Sequence, residues 1–383
     1  MTTTEPFAVS GKLLIGSELV PGAVVIVGDR ICDVLRGPGP DELPEHVLVA
    51  EIVSPGLIDL QVNGGFGVDV GADPAALRLL AERLPETGVT AFLPTVISAP
   101  ADAYPLTVAA FTAADGAPGA RLLGLHVEGP FLAVSRKGAH QQDWIEAAGD
   151  DLFAFLLEQP ALRLMTLAPE RPGSLERIRR LRERGVLVSL GHTDASYERF
   201  VAGVDAGAVL AGQVQPCAPF QHRQPGAVGA ALTDDRVTVG LIADGVHAHP
   251  ASLRLAVRAK GAERIALVTD MMAAAGMPAG NYQLGGQDVI TDGVAARLPD
   301  GTLAGAVLTM DAAIRNLIAW TEATVADALR MASEIPARLL GRSDLGRIAV
   351  GATADLTLFD RDLRVVATIV GGQVVYQRKE MGA

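Results

Sequence analysis

Arg121-Leu122-Leu123-Gly124-Leu125-His126-Val127-Glu128-Gly129-Pro130 is an apolar run that ends on a carboxylate and then turns. Its length and flanks read as a buried strand over 121–127. Alternation puts His126 and Glu128 on one side. A carboxylate closing an apolar strand is costly unless something pairs with it or binds it. The design recurs along the chain. His192 closes the run 186–191, Asp244 and His247 follow 237–243, Asp270 closes 264–269, and 55–60 leads into Asp59-Leu60-Gln61-Val62-Asn63. With 89–94, 162–168 and 208–212 there are eight strand candidates. Helical patterns at Pro74–Leu84, Ser174–Arg184, Tyr197–Ala206 and Pro250–Lys260 fall between them. Alternating strands and helices mean βαβ units. Eight of them predict an α/β fold of the (β/α)8, TIM-like kind, with its site at the C-terminal ends of the strands. No Gly-x-Gly-x-x-Gly follows the first strand, which disfavours a doubly wound sheet.

Both ends of the chain read differently. Residues 1–53 and 345–383 carry short apolar runs broken by Gly and Pro, such as Ala23-Val24-Val25-Ile26-Val27 and Val365-Val366-Ala367-Thr368-Ile369-Val370. Termini commonly lie close together, so these segments are expected to form one small β-sandwich beside a barrel over 54–344.

The 383 residues are 49% hydrophobic but only 4% aromatic, which suits an aliphatic α/β core. A net charge of −12 disfavours nucleic acid and anionic membranes as partners. Two distant cysteines, Cys32 and Cys217, make no disulfide framework. No basic and apolar leader opens the chain, and no run is long enough to span a bilayer. The expectation is a cytoplasmic protein.

Six of the seven histidines sit in short motifs, Gly124–Pro130, Lys137–His140, Gly191–Asp194, His222-Arg223 and Asp244–His249. Glu128 and His192 are suitable ligands for zinc or a similar divalent ion. Such an ion makes a nucleophile of water at neutral pH and polarises a carbonyl. Asp270 would move the proton to the leaving nitrogen, and His140, in the loop after the third strand, would hydrogen-bond the carbonyl oxygen. His126 reads as a hydrogen-bonded core histidine and Asp59 as a structural carboxylate.

The motifs together resemble the N-acetylglucosamine-6-phosphate deacetylases of the amidohydrolase superfamily. The likeness rests on Pro55–Asp59, Gly124–Leu132, Gly191–Ser196, His222–Gly229, Ile242–His247, Leu267–Asp270 with Ala274-Ala275-Gly276, and Asp300–Met310. It extends over nearly the whole chain. It implies hydrolytic deacetylation of an amino sugar phosphate, one divalent ion (zinc foremost), and a homodimer. By matching motif, Glu128 and His192 are metal ligands, Asp270 the acid/base, and His140 the carbonyl-polarising group. His247 matches a sugar-contacting residue and Arg223 a phosphate-binding one. Gln61 and Asn63 stand where other amidohydrolases carry a His-x-His pair, which fits a single-metal branch, and both are expected among the substrate-binding residues with Gln215.

One segment departs from the pattern. Counting back from Arg223, Gly212 falls where the family carries its third metal ligand, and Gln215 and Pro216 fall where substrate is contacted. Glycine has no donor, and three protein ligands are the usual minimum for catalytic zinc. An alternative reading therefore keeps the fold and pocket but uses metal-free acid/base chemistry, or binds sugar phosphate without turnover.

Overall fold

The structure is a computed structural model that describes residues 5–39, 42–212 and 220–379. Eight parallel strands run in sequence around one sheet. They are Leu57–Val62, Val89–Val96, Leu125–Glu128, Leu162–Leu167, Leu187–Leu190, Leu210–Ala211, Thr238–Leu241 and Ile265–Leu267, called below the first to the eighth. A parallel bridge between Val62 and Met271 joins the first strand to the segment after the eighth. The sheet thus curls into the expected (β/α)8 barrel. Every expected strand is present, with slightly different ends. The third is interrupted, since Arg121–Leu122 pairs separately with the second strand.

The helices Tyr197–Ala206 and Pro250–Lys260 have the expected bounds because their first turns are capped. Ser196 accepts the N–H of Arg199, and His249 accepts that of Ala251 with Pro250 in the first turn. His249 is therefore a cap rather than a site residue.

The two ends meet as expected. Strands from residues 7–55 and 356–377 form one seven-stranded sheet. Val47–Pro55 lies at its middle, parallel to Phe7–Ile15 and antiparallel to Leu356–Phe359. Val9, Leu13, Val24, Val53, Leu356 and Ile369 fill a core of its own. Arg121 ties this sheet to the barrel through both oxygens of the buried Asp355, at 3.0 and 3.1 Å.

One element was not expected. Residues 280–306 form a four-stranded antiparallel sheet between the eighth strand and the next helix. Its last strand is hydrogen-bonded to the barrel mouth, Ala306 N–H donating to the Asp270 carbonyl at 2.8 Å. No helix among the described residues is long and apolar enough to cross a membrane.

Candidate active site

The C-terminal ends of the strands surround a cavity of about 250 Å³. Asn63, Glu128, His140, His192, His247 and Asp270 line it. Backbone placement is strained at two of these: His192 has φ 48° and Asp270 φ 53°, the left-handed region that non-glycine residues seldom adopt. Asp59 explains how the second is held. Its buried carboxylate accepts the Thr269 hydroxyl (2.5 Å) and the Thr269 and Gln61 N–H groups, pinning the first strand to the turn before Asp270.

The hydrogen bonds fix which nitrogen of each histidine is free. His192 donates Nδ1–H to the Arg136 carbonyl at 2.8 Å. Its Nε2 faces Glu128 Oε1 at 3.2 Å. His140 is the reverse: its Nδ1 accepts the N–H of Ser98 at 3.1 Å. The proton of neutral His140 therefore sits on Nε2, 3.8 Å from Glu128 Oε2. Burial and the neighbouring His192 charge push His140 down to about 3, so it stays neutral. His247 donates Nδ1–H to Asp244 at 2.7 Å, and Asp244 also accepts the Val246 and His247 N–H groups. His247 Nε2 lies 3.5 Å from Asp270 Oδ2. His126 spans Leu60 O and the Thr166 hydroxyl inside the barrel, as a core histidine does.

Gln61 bridges the two carboxylates, its amide donating to Glu128 at 3.1 Å and Asp270 at 2.9 Å. Asn63 donates to the same Asp270 oxygen at 2.7 Å, while its own Oδ1 is buried without a partner. Burial and the charge of Glu128 raise the Asp270 carboxyl to about 7. Burial also works against ionisation of Glu128, but the hydrogen bond and charge of His192 outweigh it and hold Glu128 below the usual carboxylate range.

Glu128, His140 and His192 offer ligand atoms all within 4.8 Å of one another. Two of the three suit a divalent ion, one fewer than the usual minimum for catalytic zinc. Glu128 oxygen and His192 Nε2 are the two donors free to bind one, whereas the Nε2–H of His140 is turned out as a hydrogen-bond donor. The sixth strand adds nothing among the described residues. A Cβ on Gly212 would run into Ser189 Oγ, which is buried without a partner among the described residues.

Arg223 is exposed and lines a separate cavity of about 510 Å³ with Arg136, Asp194, Tyr197 and Gln221. Gln215, Pro216 and Cys217 lie outside the described residues. Sequence reasoning missed Ser98, which orients His140, and the wall built by Leu284, Thr302, Leu303 and Gly305. The wall had a signal: Gly285-Gly286 between the alternating stretches 280–284 and 287–291 is a two-residue hairpin turn.

The amidohydrolase family model matches residues 52–375. The N-acetylglucosamine-6-phosphate deacetylase of Bacillus subtilis (strain 168) is 37% identical over 86% of this chain and 86% of its own length. The chain belongs to this family of amidohydrolases. An N-acetylgalactosamine-6-phosphate deacetylase of Escherichia coli O157:H7 is 41% identical over 85% of this chain and 88% of its own. Among solved structures, the N-acetylglucosamine-6-phosphate deacetylase from Pasteurella multocida superimposes with a TM-score of 0.91 at 30% identity, covering 96% and 99% of the two chains. The protein is thus an amidohydrolase, an enzyme acting on amide C–N bonds. Its family is typically metal-dependent.

Proposed function

We propose that this amidohydrolase removes the acetyl group from an N-acetylated amino sugar 6-phosphate, N-acetylglucosamine 6-phosphate first. The observation that carries the reading is Asp270, a carboxyl held near neutrality and facing Glu128, His192 and the His140 donor at one barrel mouth. The relatives' activities favour it over metal-free chemistry or simple binding.

Glu128 and His192 would hold one divalent ion, zinc foremost. Such an ion, when bound, supplies a water nucleophilic at neutral pH and Lewis-acid polarisation. Asp270 takes the proton from the attacking water and returns it to the leaving nitrogen, and a carboxyl near pH 7 serves both steps. His140 Nε2–H donates to the acetyl oxygen as it gains charge. Gln61 orients the two carboxylates. Asn63 Oδ1 supplies an unused acceptor for a substrate donor. His247, steadied by Asp244, meets the sugar, and Arg223 the phosphate, with Gln215 also on the substrate side.

We further propose that residues 1–53 and 345–383 form one domain beside the 54–344 barrel, and that the protein is a cytoplasmic homodimer taking neither nucleic acid nor membrane as partner. The test of function is acetate release from N-acetylglucosamine and N-acetylgalactosamine 6-phosphates, with metal content measured on the same sample. Acetate release with bound metal supports the reading. No release from either substrate with metal supplied rejects it.

A further inference from the structure

A second cavity, of about 190 Å³, adjoins the first. The two share Asn63, Ile97 and Leu284 as a common wall. Beyond that wall the second is lined by Val96, Pro100, Ala103 and Trp144. Its threonines do not make it polar, because their hydroxyls are already spent: Thr95 donates to Leu93 O and Thr107 to Ala103 O, both at 3.1 Å. Asp69, also on its border, is turned to the Gly285 N–H at 2.7 Å. The space presents mainly apolar surface.

Barrel geometry says which part of a substrate faces it. The proposed sugar and phosphate contacts, His247 and Arg223, follow the seventh and sixth strands. Asn63 and Ile97 follow the first and second strands. In an eight-stranded barrel the second strand faces the sixth. On the proposed function the scissile carbonyl carbon would lie between Asp270, His140 and the Glu128–His192 pair, which line one cavity. Its nitrogen leads toward the sugar, so its other substituent, the acyl chain, leads toward Ile97.

We propose that this cavity is an acyl-chain subsite, and that the enzyme hydrolyses amino sugar 6-phosphates bearing unbranched apolar acyl groups longer than acetyl. The inference rests on the deacylase reading above. The bond broken is the same amide C–N bond, water supplies the added oxygen and hydrogens, and the products are the free amine and the longer carboxylate. A methylene fitted into or excluded from an apolar pocket changes specificity by roughly tenfold or more.

The test compares kcat/KM for N-acetyl- and N-butanoyl-glucosamine 6-phosphate. Wild type is expected to turn over both. Ala103→Phe, which fills the far side of the cavity, should lower the butanoyl-to-acetyl ratio roughly tenfold. Ile97→Ala, which widens the shared wall, should raise it. Each variant's acetyl activity reports that it is folded. Acetyl turnover without detectable butanoyl turnover, or a ratio unmoved by both substitutions, overturns the subsite while leaving the deacetylase reading intact. Turnover of neither substrate by wild type overturns both.

Discussion

His140 and His192 sit side by side, with ring centroids 4.7 Å apart, yet their backbone partners give them opposite chemistry. A carbonyl on Nδ1 frees the His192 Nε2 lone pair, and an N–H on Nδ1 leaves the His140 proton on Nε2. His192→Ala should therefore lose the ion. His140→Ala should keep it and lose about 10²–10³ in kcat. Metal analysis of the two purified variants separates the roles, and an ion lost from His140→Ala would make that residue a ligand. Asp270→Asn should cost about 10²–10⁴ in kcat. Asp270 works as a base only when ionised, and its carboxyl is raised to about 7. Activity should thus fall as pH drops through the Asp270 titration, about tenfold per unit below it. The sign for stability is opposite. The folded state holds this proton above the pH at which the unfolded chain releases it, so the residue's contribution to stability declines as pH rises from about 4 to 7. Thermal melts of the wild type should show that decline, and Asp270→Asn should lessen it.

The strands and helices of the barrel were legible because each carries its own period and its own stop. The helix starting at Pro250 announces itself by the residue before it, and the strand ending at Glu128 by the turn after it. The sheet at 280–306 is harder to read, since its strands of three to five residues are too short to carry a period of their own, and only the Gly285-Gly286 turn marks one hairpin. Ser98 was invisible for another reason: it meets His140 Nδ1 with both its backbone N–H and its hydroxyl, a contact 42 residues away in sequence that no strand-end pattern marks. The convergence of Glu128, His192, His247 and Asp270 could be read from strand-end placement, whereas His140 comes from the loop after the third strand. The tautomers that distinguish them could not. At the sixth strand the sequence suggests a simple repair, Gly212→His. The packing argues against it, because the new Cβ meets Ser189 Oγ. The single change should lower stability by about 1–3 kcal/mol without tightening metal binding. Adding Ser189→Gly should relieve the clash, and metal titration with thermal melts of both proteins would show whether it does.

At the level of the whole molecule, the seven-stranded sheet is tied to the barrel by apolar packing of Leu14, Ile52, Phe359 and Val365, by the buried Thr357 and Thr368 hydroxyls donating to Gly88 O and Pro85 O, and by the buried Asp355. Asp355 holds Arg121 from the barrel and the Gly371 N–H from its own sheet. Asp355→Ala leaves these donors short of a partner. It should cost about 2 kcal/mol, since Arg121 keeps access to water. Limited proteolysis should then cut the terminal segments before the barrel, whereas an unchanged digestion pattern would place the union elsewhere.

The pairing of Val47–Pro55 with Leu356–Phe359 also sets a timetable for synthesis. The ribosome releases the first strands long before the segment that completes their sheet exists. During that interval Val53 and its neighbours have an unfilled edge, and the barrel has to mature beside a half-built companion. Non-local pairings of this span are late and slow, and edges left waiting invite association with other chains. The nascent protein is therefore most vulnerable after its catalytic groups have been made and before its last strands have emerged.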